Sequence, residues 1–169
     1  SSYAFPQVFR VINARSSRVD AGFYRCAGWL PVIDQGARQI AGYTDLDVVP
    51  LKPGESGTLV FGDHTCIVKF IDFPFVVGAD GTKVLAPREG FDGRFLYYML
   101  DAQPVQPTGY NRHFSTLSAR MFVAPNLAEQ RAIAAVLAAA DAEIQALAAQ
   151  LEKTQLIRKG MMQQLLGYP

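Results

Sequence analysis

Residues 126–167 read NLAEQRAIAAVLAAADAEIQALAAQLEKTQLIRKGMMQQLLG, and this stretch decides the organisation of the chain. Asn126 follows Pro125 and can cap a helix through its side-chain oxygen, and Glu129 three positions on can return the bond. No proline interrupts the segment up to Leu166, and Gly167 stands where a C-terminal cap is expected. The pattern predicts a helix of about 40 residues, a rod of roughly 60 Å at 1.5 Å per residue. No domain of this size can bury such a helix along its whole length. Ile133, Leu137, Ala140, Ile144, Leu147 and Leu151 follow alternating steps of four and three, the spacing of a coiled-coil seam. The repeat meets Thr154 and Arg158 and recovers at Met161 and Leu165, with Ile157 one position out of register. Gly160 costs about 1 kcal/mol relative to Ala in a helix, and leaves room for another backbone. A partner helix is therefore expected, from a second copy or from a second half of the same polypeptide.

Upstream of Pro125 the text changes character. Short β-type runs, Val8 to Ile12, Trp29 to Ile33, Thr58 to Phe61, Thr65 to Ile71 and Lys83 to Leu85, are separated by turn pairs. The turns are signalled by Pro53-Gly54, Ser56-Gly57 and Asp80-Gly81. Phe91 to Leu100 reads as a helix with Phe95, Leu96 and Met99 on one side, and Leu117 to Val123 as a last strand. The expected architecture is α+β: a globular mixed α/β domain over residues 1–125, then a long coiled-coil-type helix over 126–169.

Composition bounds the function. Half of the 169 residues are apolar, enough for a packed core. No segment reads as the roughly 18 uncharged apolar residues of a membrane span, because Asp141 and Glu143 interrupt the stretch Ala132 to Ala149. The N-terminus lacks a basic region followed by an apolar run, so no signal peptide is expected; opening on Ser1 is consistent with a piece of a longer chain. Cys26 and Cys66 form no C-x-x-C pair and are expected as buried, reduced thiols. Net charge is +1, with 12 Lys/Arg against 11 Asp/Glu up to residue 125 and 4 against 4 beyond it. Duplex binding draws on phosphate neutralisation, so this balance requires a basic patch offset by acids elsewhere, or phosphate contacts from partner subunits.

Several polar segments carry chemistry suited to nucleic acid. Arg15, Ser16, Ser17 and Arg18 combine hydroxyl and guanidinium groups that can meet phosphates and base edges, or form a plain solvated loop. Gln35 and Arg38 flank Gly36 beside Asp34 and Gln39; Gln can read adenine and Arg guanine through paired hydrogen bonds, and a simple turn explains the glycine equally well. His64 and Thr65, in Gly62-Asp63-His64-Thr65, sit beside Cys66 without a second acid or oxyanion device, so a polar turn is expected there, not a nucleophile. Asp80-Gly81-Thr82-Lys83 is a turn first, with Lys83 available to a phosphate. Tyr110, Asn111, Arg112 and His113 place an aromatic ring, an adenine-reading amide and two basic groups in four residues. No catalytic residue, metal site or cofactor is expected: there is no phosphate-cradling glycine loop, methyltransferase cofactor loop or nuclease acid cluster.

Five blocks, taken in order, resemble one family. Pro31-Val32-Ile33-Asp34-Gln35-Gly36 with Ile40-Ala41-Gly42-Tyr43-Thr44, then Val60 to Thr65, Val77 to Lys83, Tyr110 to His113, and finally Asn126 to Ile133 with Arg158 to Leu166, are similar to the specificity subunits of type I restriction–modification systems. The resemblance covers nearly the whole chain. It implies a target-recognition domain that reads one half of an interrupted bipartite site in double-stranded DNA. It also implies a conserved-region helix that sets spacing and docks methyltransferase subunits and, through them, restriction subunits, with methylation and cleavage performed by those partners. The usual architecture holds two recognition domains and two helices; this chain holds one of each. Self-pairing through the helix, a two-fold arrangement in the cytoplasm reading a symmetric interrupted site, is one expectation. An excised half of a normal subunit is the other. Two further classes remain open from the residues alone: an assembly module that never meets DNA, and a small hydrolase built on Cys66 or His64.

Overall fold

The structure, a computed structural model, describes every residue except Ala79, Tyr110, Tyr168 and Pro169. The chain forms two compact units, Ser1–Arg131 and Ala132–Pro169.

The first unit contains β1 (Ser2–Ala4), α1 (Phe5–Val8), β2 (Phe9–Ile12), β3 (Leu30–Ile33), β4 (Gly42–Thr44), β5 (Thr58–Gly62), β6 (Val68–Ile71), β7 (Val76–Val77), β8 (Thr82–Pro87), α2 (Gly93–Ala102), α3 (Phe114–Ser118) and β9 (Met121–Val123), and the last helix, α4 (Leu127–Leu166), begins in it. Three sheets result: β2-β8-β5-β6, β4-β3-β7 and the pair β1-β9. Among the described residues, the pairings between these strands are antiparallel except β3 with β7. The α+β expectation describes this architecture.

Side-chain alternation explains how the sheets pack. On β3 and β7, Ile33 and Val77 join Val60, Ile71 and Val84 of the four-stranded sheet in one buried cluster, while Val32 and Val76 point the other way to meet Val19. This is the period-two geometry of a strand buried on both faces. Phe61 alternates with Val60 on β5 and reaches an aromatic group instead: Phe5, Phe9, Phe114 and Phe122 stack edge-on or tilted, with centroids 5.3–6.4 Å apart. Each such ring contributes about 1.5–3 kcal/mol by burial and its pairs about 0.5–1.5 more. Asp92 caps α2 by accepting the Phe95 N–H at 2.9 Å, and Phe95, Leu96 and Leu100 form the buried face.

The helix α4 spans 40 residues, as its pattern predicts. Asn126 Oδ1 accepts the Glu129 N–H at 3.0 Å, which gives the Asn126 half of the expected capping box, and Gly167 adopts φ +63° where the C-terminal cap is expected. Its first turn is anchored by Gln130, which is buried. Gln130 donates to the carbonyls of Gly90 (3.1 Å) and Pro125 (2.9 Å) and accepts the Asp92 N–H (2.9 Å).

Four sequence expectations are corrected. Thr65 does not begin a strand: β6 starts at Val68, and Cys66 occupies a turn at φ +58°, so His64 and Cys66 share no strand face. Leu117 belongs to α3, because His113 and Asp63 hold that segment in a helical turn, and only Met121–Val123 is strand. Cys26 is exposed, lying in the loop after Phe23, whereas Cys66 is buried. Finally, α4 is long and apolar enough to cross a membrane by length and composition, which the charge-interruption reading denied; alanine and leucine dominate despite Asp141 and Glu143. The short strands β1, β4 and β7 had no distinct signal, since two or three residues cannot display a period.

Candidate nucleic-acid interface

The turn after β5 supplies the organising group. Asp63 is 1% exposed, yet its Oδ1 accepts the Phe114 N–H at 2.8 Å, which sets the start of α3. Its backbone is equally committed: the N–H donates to Gly81 (2.8 Å) and the carbonyl accepts from the His113 N–H (2.8 Å) and ring Nδ1–H (3.2 Å). A buried carboxylate needs countercharge, and Asp63 meets Arg112 at 3.7 Å and Lys83 at 4.0 Å. These separations are ion pairs without hydrogen-bond geometry, so the two cations are held near the acid while their N–H groups stay free to donate elsewhere.

Asp80 forms the second anchor. It is exposed, and Arg112 (3.7 Å) and Arg18 (3.4 Å) approach its two oxygens. The Gly81 N–H, and after it the Arg112 charge, hold its carboxyl below the usual carboxylate value. Gly81 sits at φ +83°, a left-handed conformation that favours glycine, so the Asp80-Gly81 turn follows from the sequence. Arg112 therefore lies between two carboxylates, one buried and one exposed.

Gln35 ties a third segment to the same place. Its side-chain amide donates to the Asp80 carbonyl (3.0 Å) and accepts the His64 N–H (3.2 Å), while its own carbonyl accepts from the Thr65 hydroxyl (2.7 Å). His64 Nδ1–H donates to the Asn111 carbonyl at 3.2 Å. Lys69 secures the segment from below: its buried ammonium donates to the carbonyls of Asp34 (2.7 Å) and Arg38 (2.6 Å). Burial lowers its pKa, opposed by the Asp34 carboxylate.

The structure thus brings together Arg18, Gln35, His64, Thr65, Lys83, Asn111, Arg112 and His113 from segments far apart in sequence. It does not bring all candidates to one surface. Ser17 and His113 are each 2% exposed, and the His113 ring is spent on Asp63 and on the Thr108 N–H at 2.9 Å. Gln35 and Thr65 are likewise spent on loop bonds. Arg15 and Arg38 are exposed and join none of these ion pairs. Tyr110 lies outside the described residues. What faces solvent is a cationic and amide surface of Arg18, Lys83, Arg112 and Asn111, with His64 half-buried at its edge. Sequence reasoning missed Asp63 and Asp80 as organisers, because an acid beside glycine signals only a turn. Among the described residues no group of three His, Cys, Asp or Glu is placed to hold a metal. Burial, and then the nearby Asp63 charge, push the Cys66 thiol up, which disfavours the reactive thiolate.

No family model matches the chain, and no curated protein matches it in sequence. Solved structures do match in shape. One is the S subunit of a type I restriction–modification system from M. genitalium, with TM-score 0.66 and 19% identity over 95% of this chain and 44% of that one. Another is a chain from a structure on complex assembly and conformational transition of the type I R-M system, with TM-score 0.70 and 20% identity over 99% and 44%. A third is the HsdS subunit from Thermoanaerobacter tengcongensis, with TM-score 0.55 and 20% identity over 92% and 39%. The chain spans less than half the length of each. The likeness shows the fold: a mixed α/β segment followed in the chain by a long C-terminal helix, which is the fold that the five sequence blocks imply.

Proposed function

We propose that this chain is a non-catalytic DNA-specificity module of a type I restriction–modification system, reading one half of an interrupted bipartite site. Residues 1–125 form its target-recognition domain and residues 126–169 its spacer helix. The observation that carries this reading is the convergence of Arg18, Lys83, Asn111 and Arg112 on one surface, with Arg112 held between Asp63 and Asp80. Arg112 is pre-positioned yet not saturated with hydrogen bonds, which is what bidentate reading of guanine O6 and N7 requires. The Asn111 amide donates one N–H to the Thr108 carbonyl at 2.6 Å, which leaves its other N–H and its oxygen for an adenine edge, while Arg18 and Lys83 suit phosphates. Asp80 penalises a phosphate that approaches without a base edge to engage Arg112, favouring cognate over random sequence.

The helix supplies assembly. Ile144, Leu147, Leu151, Met161 and Leu165 are exposed, as are Ile133, Leu137 and Ala140, so the seam is free to take a partner helix. Leu156, also exposed, stands about 140° round the helix from Leu151, at about 100° per residue. An apolar residue on that far side fits a second partner, and methyltransferase subunits docking there would bring restriction subunits with them in the cytoplasm. Apolar side chains in contact with protein partners also account for the membrane-like composition of α4, since a central Asp in a bilayer costs about 2.5–3.5 kcal/mol.

A scaffold that never meets DNA is the second reading, favoured by the acids paired with nearly every cation of the cluster. Fluorescence anisotropy with duplex DNA over a salt series separates the two. A DNA reader loses affinity steeply as salt rises; absent or salt-independent binding selects the scaffold.

A further inference from the structure

Among the described residues, seven of the thirteen cations of the Ser1–Arg131 unit have no ion pair with a carboxylate; Arg15, Arg38 and Arg120 are scattered, whereas Arg10, Lys52, Arg88 and Arg131 gather in one place. All four line one groove of about 460 Å³. The register places this groove at the opposite end of the four-stranded sheet from the Arg112 cluster. On β5 and β8, Gly62 pairs with Thr82 beside the cluster, whereas Leu59 pairs with Leu85 toward the groove, which Thr58 and Ala86 line. DNA held at the cluster therefore leaves the groove unaccounted for.

The groove is not simply a basic patch. Its floor presents half-buried Ile12, Leu51 and Leu127, with Phe91 behind them. Two carboxylates, Glu55 and Glu89, interrupt the cationic rim. A duplex backbone offers a continuous run of phosphates and no apolar protrusion, so it matches neither the floor nor the two acids. A polypeptide whose acidic side chains are spaced between aliphatic anchors matches the floor, and its separated carboxylates can meet the four cations without facing Glu55 or Glu89. One wall is fixed for such a guest, because Gln130 holds the Gly90 carbonyl and the Asp92 N–H against the first turn of α4. The rim cations are exposed and need no rearrangement to meet a carboxylate.

We propose that this groove binds an acidic segment of a partner protein, with aliphatic side chains seated on Ile12, Leu51 and Leu127 and carboxylates on Arg10, Lys52, Arg88 and Arg131. The site is separate from the DNA-reading surface and does not depend on it.

The test is fluorescence anisotropy with a labelled peptide of repeating Glu-Glu-Leu, against the intact chain and two charge reversals, Arg10→Glu with Arg88→Glu, and Lys52→Glu alone. The expected result is binding by the intact chain, weakened about tenfold or more by the double reversal and less by Lys52→Glu, with thermal unfolding unchanged. Each tenfold corresponds to about 1.4 kcal/mol. A Lys-Lys-Leu peptide should not bind. Failure of the acidic peptide to bind the intact chain overturns the proposal, as does equal affinity for a folded double reversal. Loss of duplex DNA binding in the same reversals, with peptide binding unchanged, assigns the groove to phosphates and also overturns it.

Discussion

Asp63 Oδ1 accepts the backbone N–H of Phe114 at 2.8 Å, across 51 residues of sequence. That bond seats the segment carrying Asn111 and Arg112 over the end of β5, and the same carboxylate supplies the charge that holds Arg112 and Lys83. A single buried acid thus fixes both the position of the loop and the direction of its cations.

Replacing Asp63 with Ala should destabilise the fold by about 1–3 kcal/mol, the cost of leaving a buried donor without its acceptor. Asp63→Asn retains an oxygen for the Phe114 N–H and should cost less, while releasing Arg112. Urea unfolding of both variants checks the order. An Asn variant as damaged as the Ala variant would show that charge, not the hydrogen bond, dominates.

Arg112→Ala should weaken cognate duplex binding by about 1–3 kcal/mol and relax the preference at one base pair. Lys83→Ala should weaken binding evenly across sequences and lower the salt dependence. Anisotropy with cognate and scrambled duplexes distinguishes these outcomes, and unchanged affinity in the Arg112 variant removes it from the interface.

Introducing Glu at Ile144 and Leu147 places charges on the seam and should convert a self-paired chain to monomer. Light scattering reads the mass directly. An unchanged oligomer rejects the seam as its cause; a monomer before mutation rejects self-pairing.

The two thiols should differ in reactivity. Cys26 is exposed, whereas Cys66 is buried and its pKa is raised by burial and by Asp63. Alkylation of the folded chain near neutral pH should modify Cys26 alone, with Cys66 reacting only after unfolding. Rapid modification of Cys66 in the folded chain would revive a nucleophilic reading.

Lowering pH should loosen the Arg112 clamp. The folded pKa of Asp80 is depressed, so its contribution is present above the usual carboxylate value near 3.8 and lost as pH falls through the lower folded value. Lys69 works in the other direction. Its folded pKa is below 10.5, the unfolded chain binds the proton more tightly, and stability from this group rises with pH between the depressed value and 10.5.

Long-range pattern was legible in the sequence; short and non-local features were not. The helix α4 could be read because 40 residues repeat one period and both caps are local to it. Thr65 to Ile71 read as one strand because Thr65, Cys66 and Ile67 are β-type residues, yet the hydrogen bonds from Thr65 to Gln35 and from the Cys66 N–H to Gly62 bend them into a turn. Candidate residues were chosen by chemical type, which found Arg18, Lys83, Asn111 and Arg112. Type could not tell that Ser17 and His113 are buried or that the Gln35 amide is spent on backbone. Asp63 carried no signal of its own, since its partners lie 18 to 51 positions away.

Mapping of methylated sites in cells that co-express this chain with type I modification and restriction subunits tests the central claim most directly. The account predicts methylation at a bipartite interrupted motif, with Arg112→Ala altering each half-site that a copy of this chain reads. Methylation that is absent, or whose motif is identical with and without Arg112, would contradict it.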